Sequence, residues 1–263
     1  HAHWAIPTGL IGALTGALLG KPLVVTIHGS DFRLAMGRSL LLKKIFLYVC
    51  KKARHLHCVS EVMRKEIADV GIDERKISTF PMGIDESFLG VGRDQRGNPN
   101  HQCFTILSNR NLLPIYNVSL LIRAIPIVLK EEPRVKFLIA GDGPERENLE
   151  REAKDLNVGD LVQFLGQIPH EAMPNLLRQA DIYVSTSLHD GTSVSLLEAL
   201  GSGAFPVVTD IPSNREWISD GENGFLVPTH EEKVLAIRII EAIRDRSLVE
   251  KARQRNLHLV TEK

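Results

Sequence analysis

Short apolar runs alternate with longer amphipathic runs along most of this chain. Apolar runs of roughly four to eight residues are typical of buried strands, and apolar residues repeated at helical spacing are typical of packed helices. In the second half the pattern predicts strands at 104–108, 135–140, 162–165, 182–187, 206–209 and 224–227. It predicts helices at 119–130, 145–156, 170–179, 193–200, 213–218 and 231–244. Strands that alternate with helices indicate a parallel sheet covered by helices on both faces.

The first half repeats this alternation. The pattern predicts strands at 23–27, 55–59 and 77–80, and helices at 10–19, 37–54 and 61–70. Residues 90–102 carry three glycines, one proline and no apolar pattern, which predicts a linker between two domains. We therefore expect an α/β fold of two Rossmann-like parallel-sheet domains, 1–89 and 103–263, that face a cleft. Open parallel sheets bind ligands at the carboxyl ends of their strands, so the cleft is the expected ligand site.

Composition narrows the classes of function. Lys plus Arg and Asp plus Glu both number 32, so the charge balance indicates no nucleic-acid partner. The three cysteines have neither paired nor metal-binding spacing, which indicates plain thiols in a reducing, cytoplasmic compartment. The apolar run at 6–19 is too short to span a membrane. Because the chain opens without Met and inside a motif, we expect further sequence before His1 and after Lys263.

Two predicted strands are followed by residues that suit an anionic ligand. Arg110 follows the strand at 104–108, and a guanidinium can grip a diphosphate through two parallel hydrogen bonds. A salt bridge within the loop is an equally good interpretation of Arg110. Gly141 and Gly143 follow the strand at 135–140 and form a tight turn that lets backbone approach a ligand. This turn lacks the third glycine and the acidic partner of a dinucleotide fingerprint, which argues against a nicotinamide or flavin enzyme.

A pair of carboxylates lies eight residues apart across a predicted loop and helix. Asp190 lies in the loop, and Glu198 lies on the helix, which begins at Thr192 or Ser193. Backbone N–H groups at such an opening suit a phosphate or an oxyanion. From their spacing alone, the two carboxylates are interpreted as an ordinary turn residue and an exposed helix residue.

Neither the histidines nor the basic residues identify a partner by themselves. His1 and His3 stand at the start of the chain, and His55 and His57 share one face of a strand. We interpret them as hydrogen-bonded or exposed residues and predict no metal site. The helix at 37–54 carries six basic residues and no acid, opposite its apolar face. Such a helix is either the solvated side of a packed helix or a surface that docks on anionic membranes, and both interpretations stay open.

Taken together, eight segments resemble the retaining glycosyltransferases of family 4, in the order that the family shows. The segments are 1–9, 24–31, 59–64, 81–88, 138–144, 162–166, 185–210 and 216–227, and they include HAHWAIPTG, VVTIHGSD, PMGIDESF, LIAGDGP and DGTSVSLLEALGSG. The resemblance covers nearly the whole chain. It implies the GT-B fold, with an incomplete N-terminal domain on the acceptor side and a C-terminal domain that binds a nucleotide-sugar donor.

The resemblance also implies roles for the two carboxylates. In the family, two glutamates separated by seven residues hold the donor: the first binds the hydroxyls of the transferred sugar, and the second binds the ribose diol. These positions fall on Asp190 and Glu198, and a carboxylate can accept hydrogen bonds from both hydroxyls of a vicinal diol. Asp at position 190 departs from the family pattern and shortens the side chain by one methylene.

Further donor contacts follow from the same resemblance. Arg110 would clamp the diphosphate. Tyr116 stands in the position where the family usually has a lysine, and its hydroxyl would donate a hydrogen bond to phosphate. His28 would lie across the cleft beside the reacting sugar. The remaining residues that would contact the donor are Gly141, Gly143, Gly191, Thr192 and Ser193.

The implied reaction transfers a sugar from a nucleotide-diphosphate sugar to an acceptor hydroxyl with retention of anomeric configuration. Asp190, Arg110 and His28 would serve catalysis, and neither a metal nor another cofactor is expected. The acceptor would be a saccharide, as in polysaccharide biosynthesis, or a lipid-linked molecule. A lipid-linked acceptor would bring the helix that contains Lys43 and Arg54 to the cytoplasmic face of a membrane. Two alternatives stay open: a nucleotide-sugar epimerase on the same scaffold, and a non-catalytic nucleotide-sugar-binding paralogue.

Overall fold

The strand pairs in the two sheets are parallel, as the alternation of strands and helices predicts. The computed structural model describes residues 1–37, 39–90 and 103–262. These residues divide into two units. Unit 1 comprises His1–Gly83 and Asp190–Thr192, and unit 2 comprises Ile84–His189 and Ser193–Lys263. Most of the predicted linker, 91–102, lies outside the described residues.

Unit 1 is a four-stranded sheet with helices packed on it. Its strands are β1 (Ala2–His3), β2 (Val24–Ile27), β3 (His55–Cys58) and β4 (Ile77–Thr79), in that order across the sheet. Its helices are α1 (Leu10–Leu19), α2 (Ser30–Gly37), α3 (Leu40–Lys52) and α4 (Glu61–Asp69). One face of the sheet contributes Val25, Ile27 and Leu56 to a core, and α3 adds Phe46 and Val49. All five side chains are fully buried.

The opposite face of this sheet carries histidines and hydroxyl side chains. Residues alternate between the two faces of a strand, and the register places His3, Thr26 and His57 side by side. His57 Nδ1 lies 3.2 Å from Thr26 Oγ1, and His55 Nε2 lies 2.8 Å from Ser78 Oγ. Both histidines are hydrogen-bonded, in agreement with their interpretation as hydrogen-bonded or exposed residues. Among the described residues, no three His, Cys, Asp or Glu side chains are arranged to hold a metal ion.

Unit 2 is a six-stranded sheet. Its strands are β5 (Phe104–Ser108), β6 (Val135–Ala140), β7 (Val162–Gly166), β8 (Ile182–Ser185), β9 (Phe205–Thr209) and β10 (Phe225–Val227). Its helices are α5 (Val118–Glu131), α6 (Arg146–Asp155), α7 (Met173–Gln179), α8 (Val194–Gly201), α9 (Pro212–Arg215), α10 (Glu232–Arg244) and α11 (Arg246–Glu262).

The strand order of this sheet is β10-β9-β8-β5-β6-β7. The chain winds outward from β5 to β7, returns to β8 beside β5, and then winds outward in the other direction to β10. The direction of winding therefore reverses between β5 and β8. In open parallel sheets, ligands bind beside the carboxyl ends of the strands at such a switch point.

One helix of unit 1 lies where the apolar pattern predicts no element. The polar cluster after β2 begins α2, because the Asp31 carboxylate accepts hydrogen bonds from three backbone N–H groups. Its partners are His28 at 3.2 Å, Gly29 at 3.1 Å and Ala5 at 2.7 Å. A carboxylate in a first turn also interacts favourably with the helix dipole. Since α2 extends to Gly37, α3 begins only at Leu40 and not at the predicted position 37.

A second helix that the apolar pattern does not show is α11. It is mostly polar, and its buried residues are Val249, Ala252 and Asn256. Asn256 Nδ2 donates to the carbonyl of Asn223 over 2.8 Å, and Asn256 Oδ1 accepts from Asn223 Nδ2 over 2.7 Å. This buried amide pair fastens α11 to the loop before β10. Since hydrogen bonds replace apolar contacts at that position, hydrophobic spacing alone misses the helix.

β5, β6 and α1 have the predicted ends, and the other predicted elements are present with shifted ends. The strand predicted at 182–187 ends at Ser185, and the helix predicted at 170–179 begins with the 3-10 turn His170–Ala172. The remaining short turns are Ala5–Gly9, Glu74–Lys76, Glu86–Phe88, Pro114–Tyr116 and Gly159–Leu161. No helix of the described ranges combines the length and the apolar composition needed to span a bilayer.

The three cysteines are free thiols, as their spacing predicts. Cys50 and Cys58 lie in the core of unit 1, where burial raises the pKa of each thiol to about 12. Both thiols are therefore protonated at neutral pH. Because the thiolate is the reactive form, these two residues act as small apolar side chains.

Candidate functional site

Arg110 lies in the loop after β5, at the switch point of unit 2. Its side chain is buried, with the residue 8% exposed. Nη1 donates hydrogen bonds to Ser193 Oγ at 2.8 Å and to Ser195 Oγ at 2.6 Å. Both serines stand at the beginning of α8, which follows β8. The guanidinium therefore ties together the segments that leave two neighbouring strands.

The two serine hydroxyls form a hydrogen-bond network around Arg110. Ser193 is the N-cap of α8, and its Oγ accepts from the Leu196 N–H over 3.3 Å. Ser195 Oγ accepts from Arg110 and from the Tyr183 hydroxyl, the latter over 3.2 Å. The two hydroxyl oxygens lie 3.2 Å apart, and either one can donate in this contact. Of the two predicted helix openings, Thr192 and Ser193, the structure has Ser193.

Tyr116 lies beside Arg110, and its ring makes the contact. The Cζ atom of Arg110 lies 4.1 Å from the centre of the Tyr116 ring. The sequence-based hypothesis assigns the Tyr116 hydroxyl to phosphate, and that role stays a prediction. The observed contact is that of a cation stacked on an aromatic face, which is favourable in partly buried sites.

Glu198 lies on α8 one turn beyond Ser195, and only 8% of the residue is exposed. The interpretation of this residue as exposed is wrong, because residues 196–201 of α8 are all buried. Burial raises the pKa of the Glu198 carboxyl group, and the charges of His170 and Arg110 partly oppose the shift. A carboxylate in such a position lowers stability unless other groups compensate its charge. It is therefore a candidate for ligand binding.

Gly141 and Gly143 support the loop that carries Arg110. Their φ angles are +134° and +157°, a region that other residues rarely adopt. A Cβ atom on either glycine would collide with backbone carbonyl oxygens, those of Arg110 and Leu112 respectively. The close approach predicted for this turn is thus made to the chain's own backbone. Donor contact by the two glycines stays a prediction.

His28 lies in unit 1, directly after β2. Its Nε2 lies 3.0 Å from His3 Nδ1, and the centre of its ring lies 5.4 Å from that of Trp4. Burial, followed by the charges of His3 and His57, lowers the pKa of His28, while Asp31 opposes the shift. The His28 ring is therefore neutral at neutral pH.

The loop predicted to hold the transferred sugar also belongs to unit 1. The Thr192 hydroxyl donates to the carbonyl of Val59, and Asp190 Oδ1 accepts from the Gly191 N–H over 3.0 Å. A Cβ atom on Gly191 would lie 2.7 Å from the carbonyl oxygen of His28, so only glycine fits there without rearrangement. The structure thus brings His28 together with 190–192, and it brings the other predicted residues together in unit 2.

Two family models together match most of the chain. The model described as glycosyltransferase family 4 matches residues 1–88. The model described as glycosyl transferases group 1 matches residues 93–257, which is more than half of the chain. The chain belongs to the glycosyl transferases group 1 family. The resemblance seen in the sequence is confirmed.

Two curated relatives of this glycosyltransferase chain have names that contain different lipid groups. It is 27% identical over 252 residues to "UDP-Gal:alpha-D-GlcNAc-diphosphoundecaprenol alpha-1,3-galactosyltransferase" of Escherichia coli, covering 88% of this chain and 62% of that protein. It is 27% identical over 260 residues to "Alpha-monoglucosyldiacylglycerol synthase" of Streptococcus pneumoniae, covering 92% of this chain and 58% of that protein. The chain thus spans about three fifths of the length of each of these two relatives.

Solved structures agree on the fold. Anabaena HepE in complex with UDP and glucose superposes with a TM-score of 0.84 at 18% identity, covering 97% of this chain and 71% of that one. The pneumococcal O-GlcNAc transferase GtfA in complex with UDP and GlcNAc has a TM-score of 0.77 at 22% identity, covering 97% and 52%. The glycosyltransferase chain therefore has the GT-B type of α/β fold with two parallel sheets.

Sequence reasoning misses three residues that take part in the hydrogen bonds around Arg110 and His28. Ser195 and Tyr183 complete the hydroxyl network around Arg110, and His3 bonds to His28. The spacing Ser193-x-Ser195 at a helix opening is a usable signal, because the first turn places both side chains near one another. Tyr183 offers no such signal, since in the sequence it is indistinguishable from the apolar residues of a buried strand.

Proposed function

We propose that this protein transfers a sugar from a nucleoside-diphosphate sugar to an acceptor hydroxyl, with retention of anomeric configuration. The observation that carries the proposal is the anchoring of Arg110 by Ser193 and Ser195, in a chain of a glycosyltransferase family. The guanidinium is held at the opening of α8, where backbone N–H groups and the helix dipole also favour an anion. These groups together suit the diphosphate of a donor.

In the proposed reaction, the bond between the anomeric carbon and the diphosphate oxygen breaks, and its electron pair stays on that oxygen. The acceptor oxygen forms its bond on the same face of the sugar, and its proton passes to the departing diphosphate. Negative charge therefore grows on the leaving group, and donors that are already oriented toward it lower the barrier. Arg110 and Ser193 are the proposed donors, and the scheme needs neither a metal nor another cofactor.

The other site residues have proposed roles in holding the donor. Glu198 accepts hydrogen bonds from the ribose diol, which compensates a carboxylate that is costly to bury. Asp190 accepts from hydroxyls of the transferred sugar. His28 lies beside that sugar, and its neutral ring offers both a donor and an acceptor nitrogen.

A thermal-shift panel of UDP, GDP, ADP and their sugars tests the donor assignment. A ligand that binds only the folded state stabilises it, so one nucleotide series should raise the melting temperature by about 5–10 °C at a hundredfold excess over Kd. No shift with any member would contradict the proposal. The stabilising sugar nucleotide is then incubated with saccharide and lipid-linked acceptors, and NMR reports the anomeric configuration of the product. Binding without transfer would indicate a non-catalytic paralogue, and sugar interconversion without an acceptor would indicate an epimerase.

We propose in addition that α3 contacts an anionic membrane at the cytoplasmic face, where a lipid-linked acceptor resides. Its basic side chains are exposed, and so are two leucines at its start: Leu40 is 80% and Leu41 is 65% exposed. The predicted apolar face of the helix is buried at Phe46 and Val49, so the bases lie on the outer side. Exposed leucines beside lysines are typical of helices that bind the interface of anionic bilayers.

Reversing two charges on α3 is expected to abolish most vesicle binding. Each lysine near an anionic surface contributes about 1 kcal/mol, so Lys51→Glu with Lys52→Glu should lower the partition coefficient at least about thirtyfold. Co-sedimentation with anionic and zwitterionic vesicles at two salt concentrations measures this effect. The matched control is Lys154→Glu with Lys251→Glu, which reverses two exposed lysines of unit 2. Equal losses of vesicle binding in both double variants would show that α3 is an ordinary solvated helix.

A further inference from the structure

Arg110 is held on a second side by the ring of Tyr116. The 4.1 Å between Cζ and the ring centre lies within the range in which a cation and an aromatic face attract each other. The same guanidinium bonds Ser193 and Ser195 through Nη1. The ring and the hydroxyls together restrict both the position and the plane of the guanidinium.

The backbone that presents the Tyr116 ring is itself fixed. Tyr116 ends the turn Pro114–Tyr116, and the carbonyl of Ile115 accepts from the Leu188 N–H over 2.9 Å. The Thr186 hydroxyl donates to the carbonyl of Tyr116 over 3.0 Å. Both donors belong to the segment that follows β8. The ring and the serines are therefore supported by the same stretch of chain, and the guanidinium is fixed between them.

We propose that Tyr116 is a positioning residue for Arg110 and acts through its ring, holding the guanidinium in the orientation in which it meets the donor diphosphate. This inference rests on the proposed function and deepens it, since it assigns Tyr116 to the guanidinium and not to the phosphate. The ring attracts the guanidinium without adding charge to the site.

Two substitutions separate the ring from its hydroxyl. Tyr116→Phe keeps the aromatic face, so Kd for the nucleoside diphosphate that the panel selects from UDP, GDP and ADP should stay within about threefold. Tyr116→Leu removes the face and should weaken binding about tenfold. In transfer assays the Leu variant should lose kcat/KM for the donor while KM for the acceptor is unchanged, which a general structural defect would not produce.

Two outcomes would overturn this assignment. A Phe variant as weak as the Leu variant would show that the hydroxyl contacts the ligand directly, and a Leu variant with unchanged affinity would show that the ring contributes nothing. A second measurement needs no nucleotide: the melting temperatures of Arg110→Met, Tyr116→Leu and the double variant are compared. Stacking predicts non-additive decreases, and additive decreases contradict it. If no nucleotide binds the unsubstituted protein, the proposed function is wrong. The comparison of the three melting temperatures still tests whether Tyr116 stacks on Arg110.

Discussion

Arg110→Lys is expected to weaken nucleoside-diphosphate binding by about tenfold to a hundredfold, although the positive charge is kept. The guanidinium bonds two hydroxyls through Nη1 while its face lies against Tyr116. A lysine ammonium is a compact, strongly hydrated charge on a flexible stem and cannot satisfy these contacts together. Hydrogen bonds to charged groups contribute about 1.5–3 kcal/mol, which corresponds to the stated loss. Isothermal titration with the nucleotide selected by the thermal-shift panel measures it.

Arg244→Lys is the matched control for this experiment. Arg244 lies at the end of α10 and pairs with Glu131 and Glu132, and its hydrogen bonds to these two side chains raise its pKa. Exposed ion pairs of this kind contribute little to stability, and the residue lies outside the candidate site, so nucleotide affinity should be unchanged. If Arg110→Lys loses no more affinity than the control, Arg110 is only a tether between the two loops and the diphosphate assignment fails.

The apolar pattern predicts most elements of this fold but not their arrangement. Strands such as β6 and helices such as α5 are recognised because burial on one or both sides imposes a periodicity that the residues show directly. The reversal of winding between β5 and β8 depends on which strands pair, and pairing partners far apart in sequence leave no periodic trace. The placement of Arg110 beside Ser193 could therefore be expected only from the family resemblance.

Individual side chains limit the prediction of the site in two ways. Glu198 occupies a helix position that spacing assigns to the surface, and its burial depends on the elements packed around α8, which no local pattern reports. The chemistry of Tyr116 predicts a hydroxyl donor, but the turn at 114–116 directs its ring to Arg110. In both cases the sequence identifies the residue, while the environment of its side chain depends on long-range packing.

Glu198→Gln is expected to raise the donor KM or abolish turnover while leaving the free protein at least as stable as before. The side chain is buried, and burial is the main cause of the raised pKa of its carboxyl group. A raised pKa means that the folded protein favours the protonated form. The protonated carboxyl group contributes its full stabilisation at pH values below the pKa of the unfolded chain, near 4.5. This contribution is lost as the pH rises through the pKa of the folded protein. At neutral pH the carboxylate therefore costs stability, and glutamine removes that cost with a side chain of nearly the same shape.

Two measurements on Glu198→Gln test this trade between stability and binding. The melting temperature of the variant minus that of the unsubstituted protein should increase as the pH rises from about 4.5 to 7, because only the unsubstituted protein ionises there. Nucleotide affinity should fall about tenfold or more, since the amide accepts hydrogen bonds through one oxygen where the carboxylate offers two. Glu147→Gln, at an exposed position of α6, is the control that should change neither quantity. A variant that binds nucleotide normally would refute the ribose assignment, and one that melts lower at every pH would show that the carboxylate stabilises the fold instead.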